Sequence, residues 1–169
     1  MWYVIQVAPN REHEVIVMCN RRIKKPGEEF FVMKGIRYLR EKDGSWRENE
    51  VIAFPRYVFA DTDDIENLRE RLMMIPDLTK VVHSGDDFYP IYPDEEALLK
   101  VIGGSEHLIT ASIAIKTENG LEVIEGGLMG HEDMIKWVNT HKRLACLELE
   151  LSGHKSTVKV GLEIKKKEV

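Results

Sequence analysis

The stretch that most constrains this chain is Phe54-Pro55-Arg56-Tyr57-Val58-Phe59-Ala60-Asp61. Proline has no amide hydrogen to give to a sheet ladder, so Pro55 is expected at the first residue of a strand or on an edge. Beyond it the side chains alternate. Tyr57 and Phe59 share one face, and Val58 and Ala60 share the other. Apolar groups on both faces predict a strand buried on at least one side and sticky on the other. The aromatic face is then either core or a docking surface, and the flanking sequence has to supply the layers around it.

That flanking sequence alternates strands with helices. Trp2 to Val7 is rich in β-branched and aromatic residues and reads as a strand. Pro9-Asn10 ends it, with Asn10 as the expected N-cap of a helix whose first turn carries Glu12 and Glu14. Val15, Met18, Cys19 and Ile23 recur at helical spacing, and Lys25-Pro26-Gly27 closes the segment. Glu29 to Arg40 reads as one or two strands, and Asp43-Gly44 is the turn of a hairpin leading through Trp46 to Val51. After the central run, Asp61-Thr62-Asp63-Asp64 caps an amphipathic helix with Ile65, Leu68 and Leu72, closed by Ile75-Pro76-Asp77. Lys80 to His83 reads as a short strand and Gly85 to Asp87 as a turn. Glu95 to Ile102 reads as a helix stopped by Gly103-Gly104. The pattern predicts an α+β domain over residues 1–103, with an antiparallel sheet flanked by helices.

Residues 104–118 lack a sustained period and read as a linker or loosely docked arm. From residue 119 to 169 the pattern changes to short strands: Leu121 to Ile124, Met134 to Val138, Leu144 to Leu151, Thr157 to Val160, and Leu162 to Ile164. Leu147, Leu149 and Leu151 alternate with Glu148 and Glu150, the signature of a half-buried strand. These strands predict a small SH3-like β-barrel. Leu144, Leu147 and Leu151 also fit helical spacing, but Val158, Val160, Ile164 and the turn glycines favour strands.

Charge and chemistry narrow the function. The net charge of −5 excludes the whole molecule as a polyelectrolyte binder, so any nucleic-acid contact has to come from a local patch. Cys19 and Cys146 each sit among apolar residues and read as reduced, buried thiols, as in a cytoplasmic protein. No apolar run reaches the roughly 18 residues of a membrane span, and Met1 leads straight into a strand without a basic leader. No nucleophile elbow, phosphate-binding loop or dinucleotide motif is present. His131-Glu132-Asp133 reads as a solvated turn, and the acidic cluster at 61–64 as a helix start rather than a metal site. Neither an enzyme nor a cofactor is expected. Residues 121–169 carry as many Lys and Arg as Asp and Glu, yet the basic ones bunch in Asn139-Thr140-His141-Lys142-Arg143 and in His154-Lys155.

Taken together, Trp2-Tyr3-Val4-Ile5-Gln6-Val7, a helix, and Phe54-Pro55-Arg56-Tyr57-Val58-Phe59 resemble the N-terminal (NGN) domain of NusG-type transcription elongation factors. Ile75-Pro76 and Pro90 to Glu96 continue the likeness. Val123-Ile124-Glu125-Gly126-Gly127-Leu128-Met129-Gly130 resembles the opening of a KOW motif. The departures are Arg56, where NusG usually has glycine, Asp133, where KOW motifs often have a second glycine, and Ser152, where NusG exposes a phenylalanine. They resemble the LoaP class of antiterminators, with RfaH-like proteins as cousins.

The resemblance implies a factor that binds RNA polymerase and suppresses pausing and termination on selected operons. Phe54, Pro55, Tyr57 and Phe59 are then expected to meet the clamp helices of the polymerase's largest subunit. Arg11, His13, Arg21 and Arg22 on the first helix are expected to face the non-template DNA strand. Lys136, His141, Lys142, Arg143, His154 and Lys155 are expected to bind a structured RNA hairpin in a target operon leader. RfaH-like cousins can hold the second domain in a helical form, whereas this chain is expected to keep the barrel. The other reading is a general RNA-binding KOW protein, associated with the ribosome and without polymerase binding.

Overall fold

The structure, a computed structural model, describes residues 1–82 and 88–166. The first elements in chain order are β1 (Trp2–Gln6), α1 (Glu12–Arg22), β2 (Glu29–Phe31), β3 (Lys34–Arg40), β4 (Trp46–Ile52) and β5 (Tyr57–Asp61). They are followed by α2 (Ile65–Met73), α3 (Pro76–Val81), β6 (Phe88–Pro90), α4 (Pro93–Gly103), β7 (Leu108–Ile109) and β8 (Ser112–Thr117). The last are β9 (Gly120–Glu125), β10 (Ile135–Asn139), β11 (Leu144–Leu151) and β12 (His154–Lys165). The chain is a mixed α+β protein with mostly antiparallel sheets. It divides into two units, Met1–Val32 with Phe54–Ala97, and Met33–Ala53 with Leu98–Val169. No helix among the described residues is long and apolar enough to cross a membrane.

The first unit is built on a sheet of order β2-β5-β1-β6. The central run lies inside this sheet, antiparallel to β1 and β2, with Val4 opposite Phe59, Gln6 opposite Tyr57 and Phe31 opposite Phe59. Directly paired residues share a face, so Trp2, Val4, Phe31, Phe59 and Tyr57 line one side. The other side carries Ile5, Val58, Ala60 and Phe30, all buried, and α1 packs on β2 and β5 with Val15 and Cys19 buried. Pro55 does not open the strand. β5 begins at Tyr57, and Phe54-Pro55-Arg56 forms a turn in which the Tyr57 amide donates to the Phe54 carbonyl at 3.2 Å.

Three local expectations in this unit need correction. Asn10 is not the N-cap of α1: Arg11 holds that position without a side-chain cap, while Asn10 takes a left-handed conformation at φ 64°. Pro76 does not end the helical region but starts α3, where its missing amide hydrogen is no loss. Lys80 and Val81 therefore belong to a helix, and Val82 forms a single bridge with Val7. His83 and the turn expected at 85–87 lie outside the described residues. Asp64 does cap α2, its carboxylate accepting the Asn67 amide at 3.1 Å.

The second unit holds a five-stranded sheet of order β10-β11-β12-β8-β9 and a smaller one of order β4-β3-β7. Its core is the inner face of β11 and β12, where Ala145, Leu147, Val158, Val160 and Leu162 are fully buried. The expected alternation in residues 147–151 is present, with Leu147, Leu149 and Leu151 inside and Glu150 outside. Residues 144–151 are thus strand, not helix. Among the described residues β9 and β10, the edges of this sheet, do not pair with each other, so the closed SH3-like barrel expected from the sequence is not found.

Two stretches depart from the expected strand pattern. The two short strands expected at Thr157–Val160 and Leu162–Ile164 are one continuous strand, β12. Gly161 does not break it. The glycine sits where β3 passes close by, and a Cβ there would lie 2.9 Å from Tyr38 Cδ2 and 3.1 Å from the Ile36 carbonyl oxygen. The stretch 104–118, expected as a linker, contains β7 and β8, and β8 pairs in parallel with β12 and antiparallel with β9. Ser112 is fully buried there, with its hydroxyl accepting the Leu128 amide at 3.0 Å. A serine within the stretch expected as a linker satisfies a buried donor instead.

Candidate functional site

The aromatic side of the first sheet is a connected set of rings. Trp2 meets Phe31 edge-on at 4.7 Å between centroids, Phe31 stacks on Phe59 at 5.5 Å, and Phe54 meets Phe59 edge-on at 5.8 Å. Phe54 also stacks on Tyr57 at 6.3 Å, and Tyr57 meets Tyr89 edge-on at the same distance. Of the four residues expected to dock a partner, three rings are therefore brought together. Phe54 is 3% exposed and Phe59 0%, so these two hold the cluster from below. Tyr57 is half-buried and Pro55 exposed at the adjoining turn. Burial, and then a hydrogen bond with Tyr57, raises the Tyr89 phenol above its ordinary range.

The turn is pinned from behind. Arg56 has φ 72°, a conformation glycine adopts freely and other residues at a cost of roughly 1–2 kcal/mol. Its amide donates to Glu12 Oε1 at 2.9 Å, its carbonyl accepts the Val7 amide at 2.9 Å, and its Nε donates to the Val7 carbonyl at 3.3 Å. Glu12 is buried at the first position of α1; the sequence pattern placed it in the helix's first turn as expected, but not as the acceptor for the Arg56 amide.

The four basic residues on α1 do not form one cluster. Arg11 pairs with Glu14 at one end of the helix, and Arg22 lies 3.8 Å from Asp77 near the other. His13 and Arg21 are exposed. Ten residues of helix separate Arg11 from Arg21 by about 15 Å.

The six residues expected on RNA fall into three groups. His141 and Lys142 are exposed in the loop between β10 and β11. Arg143, at the end of that loop with φ 49°, lies 4.6 Å from the Trp46 ring centroid, 5.8 Å from that of Tyr38, and 3.6 Å from Glu163. Its guanidinium is already engaged. Lys136 and Lys155 come together on Glu148, at 2.9 Å and 3.8 Å. The Lys136 hydrogen bond holds the Glu148 carboxyl below its ordinary range. His154 and Lys155 lie in β12 rather than in a loop, opposite Leu151 and Glu150. The turn is only Ser152-Gly153, both with positive φ, the geometry of a two-residue hairpin. It sits at the far end of β11 from His141 and Lys142, about 24 Å away along the strand, so the two loops do not share one patch.

Other basic and aromatic residues of the second unit escaped the sequence reading. Lys116, Lys165 and Lys166 line a groove of about 390 Å³ with Ile164. Trp137 is 43% exposed on the outer side of β10. The lysine run at 165–167 was visible in the sequence, but Lys116 joins it only through the β8–β12 pairing. Among the described residues no group of three His, Cys, Asp or Glu side chains could hold a metal ion.

A family model described as transcription termination factor nusG matches residues 1–100. The chain belongs to the NusG family. NusG-family proteins are transcription factors that bind RNA polymerase, not enzymes. A solved structure concerning domain interaction in Thermotoga maritima NusG is similar over 95% of this chain and 92% of that one, at 19% identity and a TM-score of 0.49. No curated protein matches the chain. The match to NusG contains the aromatic cluster, the pinned turn and α1, while the six basic residues at 136–155 lie beyond it. Arg56, where the resemblance implied a glycine, has a left-handed backbone and is held in that conformation by three hydrogen bonds.

Proposed function

We propose that this NusG-family chain is a processivity factor that suppresses pausing and termination on selected operons. It holds RNA polymerase through the first unit and a structured leader RNA through the second. The observation that carries the reading is the ring cluster within the family-matched region, where Phe54 and Phe59 fix an accessible Tyr57 beside the exposed Pro55. A preorganised aromatic anchor set in a well-packed surround is the form interface hot spots take. Its aromatic character suits an apolar stripe on a helix, as the clamp helices of the largest polymerase subunit would offer. Tyr57→Ala is expected to weaken retention on purified core polymerase by about 1–3 kcal/mol while the circular dichroism spectrum stays unchanged. Unaltered affinity in that folded variant removes Tyr57 from the interface.

The five-stranded sheet is read as the KOW module, with His141 and Lys142 as its most available RNA contacts. Arg56, Asp133 and Ser152 support a specialised factor of the LoaP type over a general one. Arg11 and His13 at one end of α1, or Arg21 and Arg22 at the other, would meet the non-template DNA strand. Each pair is a separate contact, given the length of helix between them.

A further inference from the structure

The β10–β11 pairing carries an irregularity with a chemical consequence. Ile135 lies opposite Leu147 and Trp137 opposite Cys146, so Lys136 is an extra residue bulged out of the ladder. A bulge turns two successive side chains toward the same side, where a regular strand would send them to opposite faces. Lys136 and Trp137 are accordingly both exposed, and Lys136 reaches Glu148, two residues along β11 from Cys146 on that same outer face. Cys146 in turn lies opposite Lys159, whose Nζ is 5.9 Å from the Trp137 ring centroid. Lys159 has no ion-pair partner among the described residues. Lys155 approaches Glu148 from the other side, and Glu150 opposite Lys155 is the second carboxylate of the face.

From this arrangement we infer that the outer face of β10, β11 and β12 is a base-stacking platform, on which Trp137 takes an unpaired nucleotide of single-stranded RNA and Lys159, which holds no carboxylate, meets its phosphate, with Lys136 and Lys155 shielding Glu148. Every base has a π-face, and aromatic rings set among cations are the general means of holding single strands. A protein helix is the less suited occupant. Trp137 lies opposite the buried Cys146 and is otherwise bordered by ammonium groups, Glu148 and Thr157, a mostly polar rim rather than the broad apolar surround of a protein hot spot. This rests on the reading that the second unit binds RNA, and it differs from the hairpin contact at His141 and Lys142 in both location and ligand.

The test uses the full chain with two fluorescein-labelled probes, an oligouridylate and a closed RNA hairpin, together with purified core polymerase. Trp137→Ala is expected to weaken oligouridylate binding about tenfold or more. Trp137→Phe should restore most of it, and hairpin binding should change little. Oligouridylate should also quench tryptophan emission in the wild type and not in Trp137→Ala, because Trp2 is buried and Trp46 lies against Arg143. Equal oligouridylate affinity in wild type and Trp137→Ala overturns the platform, as does a wild type that binds the hairpin and not the single strand. Loss of polymerase retention in Trp137→Ala without any effect on RNA assigns the face to protein and overturns it too. A wild type that binds neither RNA brings down the RNA-binding reading itself.

Discussion

Glu28→Gln is the substitution whose consequence the structure defines most fully. Glu28 lies just before β2, 8% exposed, and its carboxylate accepts four hydrogen bonds. Arg71 of α2 donates twice, Nη1 to Oε1 at 2.8 Å and Nη2 to Oε2 at 2.7 Å. The Thr62 hydroxyl donates to Oε2 at 2.7 Å and the Lys25 amide to Oε1 at 2.8 Å. Arg71 also donates to the Ile23 carbonyl and, through Nε, to Asn67 Oδ1 at 2.8 Å. One ion pair thus joins the end of α1, the approach to β2, the end of β5 and the last turn of α2, the frame of the aromatic sheet. The Arg71 hydrogen bonds, opposed by burial, lower the carboxyl from 4.5 to about 2. A depression of that size corresponds to about 3 kcal/mol of stability at neutral pH. Removing one partner of a buried pair falls in the same range, about 3–5 kcal/mol. Glu28→Gln is therefore expected to lower stability by about 3 kcal/mol at pH 7, or the melting temperature by about 6–12 °C. The sign of the pH dependence follows from the depressed folded value. The contribution is complete above 4.5, the unfolded carboxyl's value, and is lost as pH falls toward about 2. Urea denaturation of both proteins, followed by circular dichroism between pH 7 and pH 2, should show a wide gap that closes at the acid end. A gap under about 1 kcal/mol at pH 7, or one that does not change with pH, refutes the reasoning.

Two further outcomes test the site geometry. Arg56→Gly should change stability by less than about 1 kcal/mol in urea denaturation, since relief of the left-handed strain offsets the lost bond from Nε to Val7, whereas Arg56→Val should be clearly destabilising. Lys142→Ala should reduce the salt dependence of hairpin binding by roughly one counterion, while Arg143→Ala should act mainly on thermal stability, because its guanidinium is held by Trp46, Tyr38 and Glu163.

The fold was legible in the sequence wherever a local pattern and a global role coincide. The alternation of Leu147, Leu149 and Leu151 with Glu148 and Glu150 marks a strand half-buried in any context, and the structure buries those three leucines. Asp64 in front of Ile65 marks a helix start because the cap is satisfied within the same turn. Illegible were the places where a distant partner decides. Gly161 looks like a strand breaker until Tyr38 is known to pass over it. Ser112 looks like a connector residue until the Leu128 amide is known to point at its hydroxyl. Pro76 follows the residues that end one helix, and only the backbone shows that it begins another. In each case the residue type reports what is permitted, and a contact far away in sequence selects among the permitted states.

The candidate site carries the same lesson in terms of charge. The sequence shows which side chains are cationic but not which cations remain available. Of the six residues assigned to RNA, Lys136 and Lys155 share Glu148, and Arg143 is held between Glu163 and two aromatic rings. An ammonium that must leave a carboxylate before it meets a phosphate gains less than one facing water, because the new attraction replaces an existing one. His141 and Lys142 keep their accessibility because their loop projects beyond β10 and β11, while Lys159 keeps its own because its nearest partner is the Trp137 ring. β11 then sets the spacing. With eight residues between the 140–143 loop and the Ser152-Gly153 turn, cations at its two ends are too far apart for one phosphate cluster, yet they lie within the span of an extended strand of a few nucleotides. A ligand that engages both must therefore run along the sheet, and the bulge at Lys136 places Trp137 on that path.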